Sequence, residues 1–323
     1  MRAAVVRTLG QPPEPGEHPD PAPAQGQAVV TMTAAPLVPL DLLCASGTSY
    51  FGRPPVPYVP GVQGVGRVEQ SAFHAPGTRV FVATQAGMAP ADGSMAERCL
   101  VRDADAIPLP PDVPDEIAAA VGLSGVAAWM ALTWRARLEP GERVLVLGGG
   151  GGVGQAAIGA AKVLGACRVV AVCRNAAAEQ RATAAGADEV VRLTADVDEL
   201  TRQLAAALDG SVDVVVDPVF GPAATAAARV LAPCGRLVNI GGAMGDDASF
   251  SSAVLRSKTA SILGYTNNGI TIEQRREALT AVTTHAAAGR LTVAAETLPL
   301  TDVGEAWRRQ ATGDAGVRFV LIP

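Results

Sequence analysis

The chain has 323 residues, more than one ordinary core supports, so two domains are expected. Hydrophobic residues make up 49% and charged residues 18%, enough apolar material for real cores and more charge than a membrane protein carries. A formal net charge of −5 and a pI near 5.3 give no electrostatic attraction to nucleic acid or anionic membranes, and neither is expected as a partner.

The five cysteines, Cys44, Cys99, Cys167, Cys173 and Cys234, are scattered and never form a C-x-x-C pair. Thiols in a reducing cytoplasm are the simple expectation. The start, Met1-Arg2-Ala3-Ala4-Val5-Val6, lacks a long apolar run, so no secretion signal is expected. Lys162 and Lys258 are the two lysines in an arginine- and alanine-rich chain, a bias that reads as codon usage rather than function.

In chain order, Ala3–Arg7, Gln27–Ala34, Gly64–Gln70, Arg79–Ala83 and Ala96–Val101 carry β-type residues between Pro and Gly punctuation. Many short strands of this kind predict a small β barrel. Ala106–Pro114 reads as a Pro-rich linker, and Asp112 or Pro114 opens an alanine-rich helix over Asp115–Arg137. Its most apolar part, Ile117–Trp134, is broken by Gly122, Ser124 and Gly125. It falls short of the roughly 20 residues a membrane span needs, and a buried helix is predicted.

Strands and helices then alternate. Val144–Leu147, Arg168–Cys173, Asp188–Val191, Val212–Asp217, Arg236–Ile240 and Ser261–Tyr265 read as strands. Val153–Leu164, Ala177–Ala185, Val197–Leu208 and Ala223–Leu231 read as the helices between them. Continuously apolar strands alternating with helices predict a parallel sheet covered on both faces. After a helix over Ile272–Ala288, the segments Ala294–Leu300 and Gly316–Ile322 return to strand texture around a helix near Val303–Thr312, and read as additions to the first domain.

The chemistry-bearing motif follows the first inner strand. Val144–Leu147 runs into Gly148-Gly149-Gly150-Gly151-Gly152-Val153-Gly154, then an apolar helix from Gln155, then a second strand. A lone G-x-G-x-x-G is weak; Gly149, Gly151 and Gly154 between a clear strand and a clear helix make a strong dinucleotide signal. One glycine permits the turn, one lets backbone approach a diphosphate, and Gly154 packs helix on sheet. The amides of Gly152 and Val153 at the helix start add donors and the positive dipole end. The second strand ends Val172-Cys173-Arg174-Asn175, with no acid for a ribose 2′-hydroxyl. Arg174, helped by Arg181 and Arg192, offers a guanidinium to a 2′-phosphate, which favours NADP(H).

Ala34-Ala35-Pro36-Leu37-Val38-Pro39-Leu40-Asp41, Ser46-Gly47-Thr48, Pro57-Tyr58-Val59-Pro60-Gly61-Val62-Gln63-Gly64-Val65-Gly66 and Gly122-Leu123-Ser124-Gly125 precede the glycine loop. Asp213–Pro218, Gly235–Gly242 and Gly316-Val317-Arg318 follow it. Together they resemble the medium-chain dehydrogenase/reductase superfamily, of the zinc-free quinone oxidoreductase and enoyl reductase type. The resemblance implies an α/β chain: a GroES-like β-barrel catalytic domain from residues 1–115 and 290–323, and a Rossmann NADP(H)-binding domain with a doubly wound parallel sheet over residues 116–289. It further implies an active site in the interdomain cleft and a homodimer formed by pairing of Rossmann sheet edges.

Zinc members of the superfamily carry Cys-Gly-x-Asp and later Gly-His-Glu, where this chain has Val38-Pro39-Leu40-Asp41 and Gly61-Val62-Gln63. Valine has no S, N or O donor, so no metal is expected. The four-cysteine lobe is also missing. His18, His74 and His285 lie in separate contexts and read as ordinary surface. Without a Lewis acid to activate an alcohol, an already electrophilic acceptor is implied: a quinone or an α,β-unsaturated carbonyl.

By the same resemblance, Asn239, Gly241 and Gly242 touch the ribose or nicotinamide, Gly264-Tyr265-Thr266 walls the nicotinamide, and Arg318 contacts the cofactor or only the surface. Tyr50 is the candidate proton donor or oxyanion partner, with Ser49 or Phe51 one residue away as alternatives. Asn267 and Asn268 are candidates for the acceptor oxygen, though loop asparagines more often form turns. Two departures weigh on the acceptor and on NADP: Val38 replaces a frequent asparagine, and Ala178 stands near the place of a frequent lysine. The runners-up are an enoyl-thioester reductase of secondary metabolism and a non-catalytic NADPH-binding protein.

Overall fold

The computed structural model describes residues 1–313 and 316–323. The N-terminal stretch supplies β1 (Arg2–Val5), β2 (Glu14–Glu17), β3 (Gln27–Pro36), α1 (Pro39–Ser46), β4 (Gln63–Gln70), β5 (Arg79–Ala83), β6 (Arg98–Arg102) and β7 (Ala106–Pro108). The middle begins with α2 (Asp115–Met130) and a π-helical turn at Ala131–Ala136, then β8 (Arg143–Leu147), α3 (Gly152–Val163), β9 (Arg168–Cys173), α4 (Ala176–Ala184) and β10 (Glu189–Arg192). It continues with α5 (Val197–Ala207), β11 (Val212–Asp217), α6 (Gly221–Arg229), β12 (Leu231–Asn239), α7 (Ser252–Lys258), β13 (Ser261–Gly264) and α8 (Ile272–Ala287). The chain closes with β14 (Ala295–Pro299), α9 (Val303–Ala311) and β15 (Arg318–Ile322).

Two compact units result: Met1–Gly122 with Ala294–Pro323, and Leu123–Val293. The division falls at 122/123 and 293/294 rather than at the expected 115/116 and 289/290. The helix predicted from Asp115 does not run straight, because Gly122 breaks it with φ 16° and ψ −127°. Those angles lie outside the regions that residues with a Cβ favour, and a Cβ there would also displace the Gln63 side-chain oxygen, so glycine suits the break. By length and composition alone, residues 115–136 would cross a membrane, longer than the sequence reading allowed. Of its most apolar window, 72% is buried inside the protein, which is where such a helix in a globular core belongs.

In the first unit, β14-β15-β3-β4-β5-β7 form one curved sheet, with β6 pairing β3. Every ladder in it is antiparallel except β14–β15. The C-terminal strands thus return to the first domain's sheet, through Val320 opposite Pro36 and Leu321 opposite Ala35. Phe319, Leu321, Leu37, Met95 and Trp307 pack one core and Val30, Val68, Val80 and Cys99 another. Part of the predicted linker is strand: Ala106, Ile107 and Pro108 pair with Val82, Phe81 and Val80. Pro108 ends the ladder because proline has no N–H to give the next rung.

The second unit is a six-stranded parallel sheet in the order β10-β9-β8-β11-β12-β13. The first strand lies third, so the chain reverses direction between β8 and β11, the arrangement of a Rossmann fold. Leu145, Val170, Val215 and Leu237 from the strands and Leu200 and Leu204 from α5 fill its core. Each such side chain contributes about 1.5–3 kcal/mol by leaving water. The reversal opens a crevice beyond the carboxyl ends of β8 and β11, and the glycine run lies there.

Candidate functional site

Gly148 turns the chain out of β8 with φ 67°. The Gly149 amide bonds the Val172 carbonyl at 2.9 Å and that of Gly151 bonds Gly148 at 3.0 Å. Side chains are excluded by packing. A Cβ on Gly149 would press on Ala171 and one on Gly150 on Ala178; one on Gly154 would land on the Gly148 carbonyl. Gly151 differs, since a Cβ there would meet only the Gly148 oxygen, at 3.4 Å. Its outer face is open, a cradle that a ligand's diphosphate could enter and a side chain would fill. Gln155 pins the loop from within, its amide nitrogen 3.0 Å from the Gly150 carbonyl. The first-turn amides of α3, from Gly152, Val153 and Gly154, have no carbonyl one turn earlier to bond, and they sit at the positive end of the helix.

Arg174 is exposed at the end of β9. Arg181 reaches from α4 to the Gly150 carbonyl, Nε to O 3.0 Å. Burial, and then repulsion by Arg174 against the opposing pull of Cys173, holds Arg181 below its ordinary pKa. Arg181 thus lies against the glycine loop, and the exposed Arg174 follows β9 in the same unit; guanidinium groups are donors suited to a phosphate dianion. Arg192 is instead engaged by Glu179.

The loop after β11 closes the same crevice. Asp217 is buried and accepts from the amides of Val219 (2.9 Å) and Phe220 (2.7 Å). Burial raises its pKa against those two bonds. Asn239, at the end of β12, donates to the Gly241 carbonyl at 2.9 Å, so its amide is tied into the loop rather than splayed outward. Gly241 lies against Pro218, and Gly264 has open space where a Cβ would be. Tyr265 is buried, with its hydroxyl 2.7 Å from Asn267 Oδ1 and its ring edge-on to Trp134. Burial pushes its phenol well above the usual range. Asn267 in turn donates to the Leu123 carbonyl at 3.0 Å, which makes it a brace for Tyr265.

In the first unit, Val38 and Val62 are brought together by Asp41, the acid that ends the first of the two motif segments but has no role in the sequence reading. Asp41 is buried, and its Oδ2 accepts from Val38 N at 2.9 Å. Its Oδ1 accepts from Gly61 N at 3.2 Å and Val62 N at 2.9 Å. Burial lifts its pKa from 3.8 to about 6, despite those amides and the charge of Arg318. Arg318 is not surface: it is buried and donates to the Leu37 carbonyl at 2.9 Å. Desolvation lowers it to about 10 against the attraction of Asp41. Cys44 is buried beside this hub, its thiol pushed up to about 11 by burial and by Asp41. Tyr50 is 79% exposed and lies tilted against Phe51 with ring centroids 4.1 Å apart, while Ser49 is buried. His18 pairs with Asp92, His74 with the Asp103 carbonyl, and His285 with Trp129 and Arg290. No group of three or more His, Cys, Asp or Glu side chains arranged for a metal occurs among the described residues.

Comparison with known proteins fits this division. A zinc-binding dehydrogenase family matches residues 152–284, and an alcohol dehydrogenase GroES-like domain matches residues 24–111. One component of the phenolphthiocerol/phthiocerol polyketide synthase of Mycobacterium tuberculosis is 31% identical over 228 residues, covering 67% of this chain and 10% of that one. Quinone oxidoreductase of Lama guanicoe is 34% identical over 165 residues, 49% of this chain and 48% of its own. A solved mycobacterial quinone oxidoreductase matches at TM-score 0.89 and 25% identity, covering 100% of both chains. The chain belongs to the medium-chain dehydrogenase/reductase superfamily. A second mycobacterial structure of this fold, solved in complex with NADPH, matches at TM-score 0.86 and 25% identity over 100% of both chains.

Within the superfamily's frame, the first unit is the GroES-like domain and the second the Rossmann domain. The chain spans 48% of the quinone oxidoreductase and 10% of the polyketide synthase component that it matches. Asp41 and Asp217 stand inside the motif segments, yet neither has a role in the sequence reading. Each is a lone acid followed, one or two positions on, by apolar residues, and an acid carried into a core by such a run must find donors there.

Proposed function

We propose that the protein is an NADPH-dependent, zinc-independent oxidoreductase that reduces a quinone or an α,β-unsaturated carbonyl. The observation that carries this is the open backbone face at Gly151, with Arg181 bonded to the neighbouring Gly150 carbonyl and Arg174 exposed at the end of β9. The Gly149–Gly154 backbone would hold the diphosphate, and the two arginines a 2′-phosphate that a carboxylate there would repel. Bound NADPH supplies a hydride to an electrophilic acceptor. Zinc independence rests on Val38 and Val62, which offer no donor atom to a metal. Tyr50 is the proposed proton donor, its phenol exposed to an incoming acceptor rather than locked in a core. Among the described residues the edge strand β13 pairs only with β12 and leaves one side of its ladder for a second copy, which supports a homodimer.

The likeness to a polyketide synthase component over 67% of this chain favours an enoyl thioester as the second acceptor class. One screen tests all of this: NADPH and NADH, each against quinones, enones and crotonyl thioesters, with zinc measured on the same sample. The expected result is NADPH oxidation about tenfold or more faster than NADH oxidation, no dependence on zinc, and loss of that preference in Arg174→Ala. Preference for NADH, a stoichiometric zinc requirement, or no turnover with any acceptor would overturn it.

A further inference from the structure

Phe220 holds φ 60° and ψ −155°. Arg137 and Thr259 also have positive φ, but in the milder left-handed helical form that ends a helix. The Phe220 conformation is one that glycine alone enters without a clash between Cβ and backbone. Strain of this kind persists only where the surroundings over-determine it, and it clusters at ligand sites.

The surroundings here are specific. Asp217, buried at the end of β11, takes both the Val219 and the Phe220 amides on one carboxylate oxygen. The Val219 carbonyl accepts from Met244 N at 2.8 Å, and the Phe220 ring lies 6.1 Å from that of Phe250. The turn so fixed abuts the nucleotide loop. A Cβ on Gly148 would come within 2.8 Å of Val219 Cγ2, and Gly148 is the residue whose positive φ starts the glycine run. β8 and β11 are hydrogen-bonded neighbours, so their C-terminal turns face each other across the crevice.

We propose that Asp217 is a positioning residue for the bound dinucleotide: it locks the Pro218–Phe220 turn in a conformation foreign to phenylalanine, and the locked turn braces the glycine loop through Val219 and Gly148. The inference rests on the nucleotide-binding reading above. What the ligand depends on is the backbone shape, and the Phe220 ring serves it only through packing that offsets the strain. A glycine at 220 holds that shape unaided, whereas an alanine keeps the clash and loses the ring packing that offsets it.

The test is a fluorescence titration with NADPH, independent of any acceptor, with a melting curve for each variant. Phe220→Gly should bind within about twofold of the wild type, while Phe220→Ala and Asp217→Ala each bind about tenfold more weakly. Combining Phe220→Gly with Asp217→Ala should restore most of the loss. Folded Asp217→Ala protein that binds as the wild type does, or a double variant no better than Asp217→Ala, overturns the proposal. If Asp217→Ala does not fold, the Phe220 pair decides: equal affinities for Phe220→Ala and Phe220→Gly overturn it. A wild type that binds no NADPH would instead overturn the nucleotide reading, and this inference with it.

Discussion

The glycine loop after β8 and the hub around Asp41 are both built from backbone amides, and they use them in opposite ways. In the loop, side chains are absent where packing is tight, and the first-turn amides of α3 are left without carbonyl partners. In the hub, one buried carboxylate consumes the amides of Val38, Gly61 and Val62. The first region keeps its donors for something from outside. The second uses them inside the domain, tying the start of α1 to the segment before β4. A region of the first kind should respond to substitution in ligand affinity, and one of the second kind in stability.

The largest expected effect is therefore at Asp41. Asp41→Ala leaves three buried N–H groups unsatisfied and removes the counter-charge of buried Arg318. The cost is on the order of 3–6 kcal/mol, read as a lower denaturation midpoint. Unchanged stability in this variant would mean that the hub does not hold the segments together.

The next effect is in pH. Asp41 has its pKa raised from 3.8 to about 6, so the folded chain binds a proton more tightly than the unfolded one. For such a group the stabilisation is fully present below 3.8 and is lost as pH rises through about 6. Between pH 7 and pH 5 the wild type should gain stability relative to Asp41→Asn, by about 1–2 kcal/mol. Parallel stability profiles for the two proteins across that range would show that the carboxyl does not titrate there.

How far each region could be read beforehand follows from the same difference. The loop was legible because everything that makes it lies within one strand, one turn and one helix, and glycine is the residue that tight backbone demands. The hub was not, because Asp41 finds two of its partners 20 and 21 residues away, where no local pattern announces them. Arg318, left open between cofactor and surface, is buried against Leu37 for the same reason: its neighbours come from the other end of the chain. Phe220 carried no signal at all, since a strained φ is a property of the surroundings and not of phenylalanine. Pro108 and its neighbours misled in the other direction, since proline at the last rung of an edge strand looks like linker until the partner strand is known.

The smallest expected effect is also the one that best separates the two kinds of region. Gly151 has φ −81° and ψ 167°, extended backbone that alanine adopts freely. A methyl there would meet only the Gly148 oxygen at 3.4 Å, an ordinary contact. Gly151→Ala should fold with stability within about 0.5 kcal/mol of the wild type, yet bind NADPH about tenfold more weakly, because the methyl stands where the diphosphate meets the backbone. Gly154→Ala should do the reverse of a pure binding change, since its methyl would land on the Gly148 carbonyl and force the loop itself to move. If Gly151→Ala keeps full affinity, the diphosphate does not lie on that open face, and the amides of the loop are spare for some other reason than the one the fold suggests.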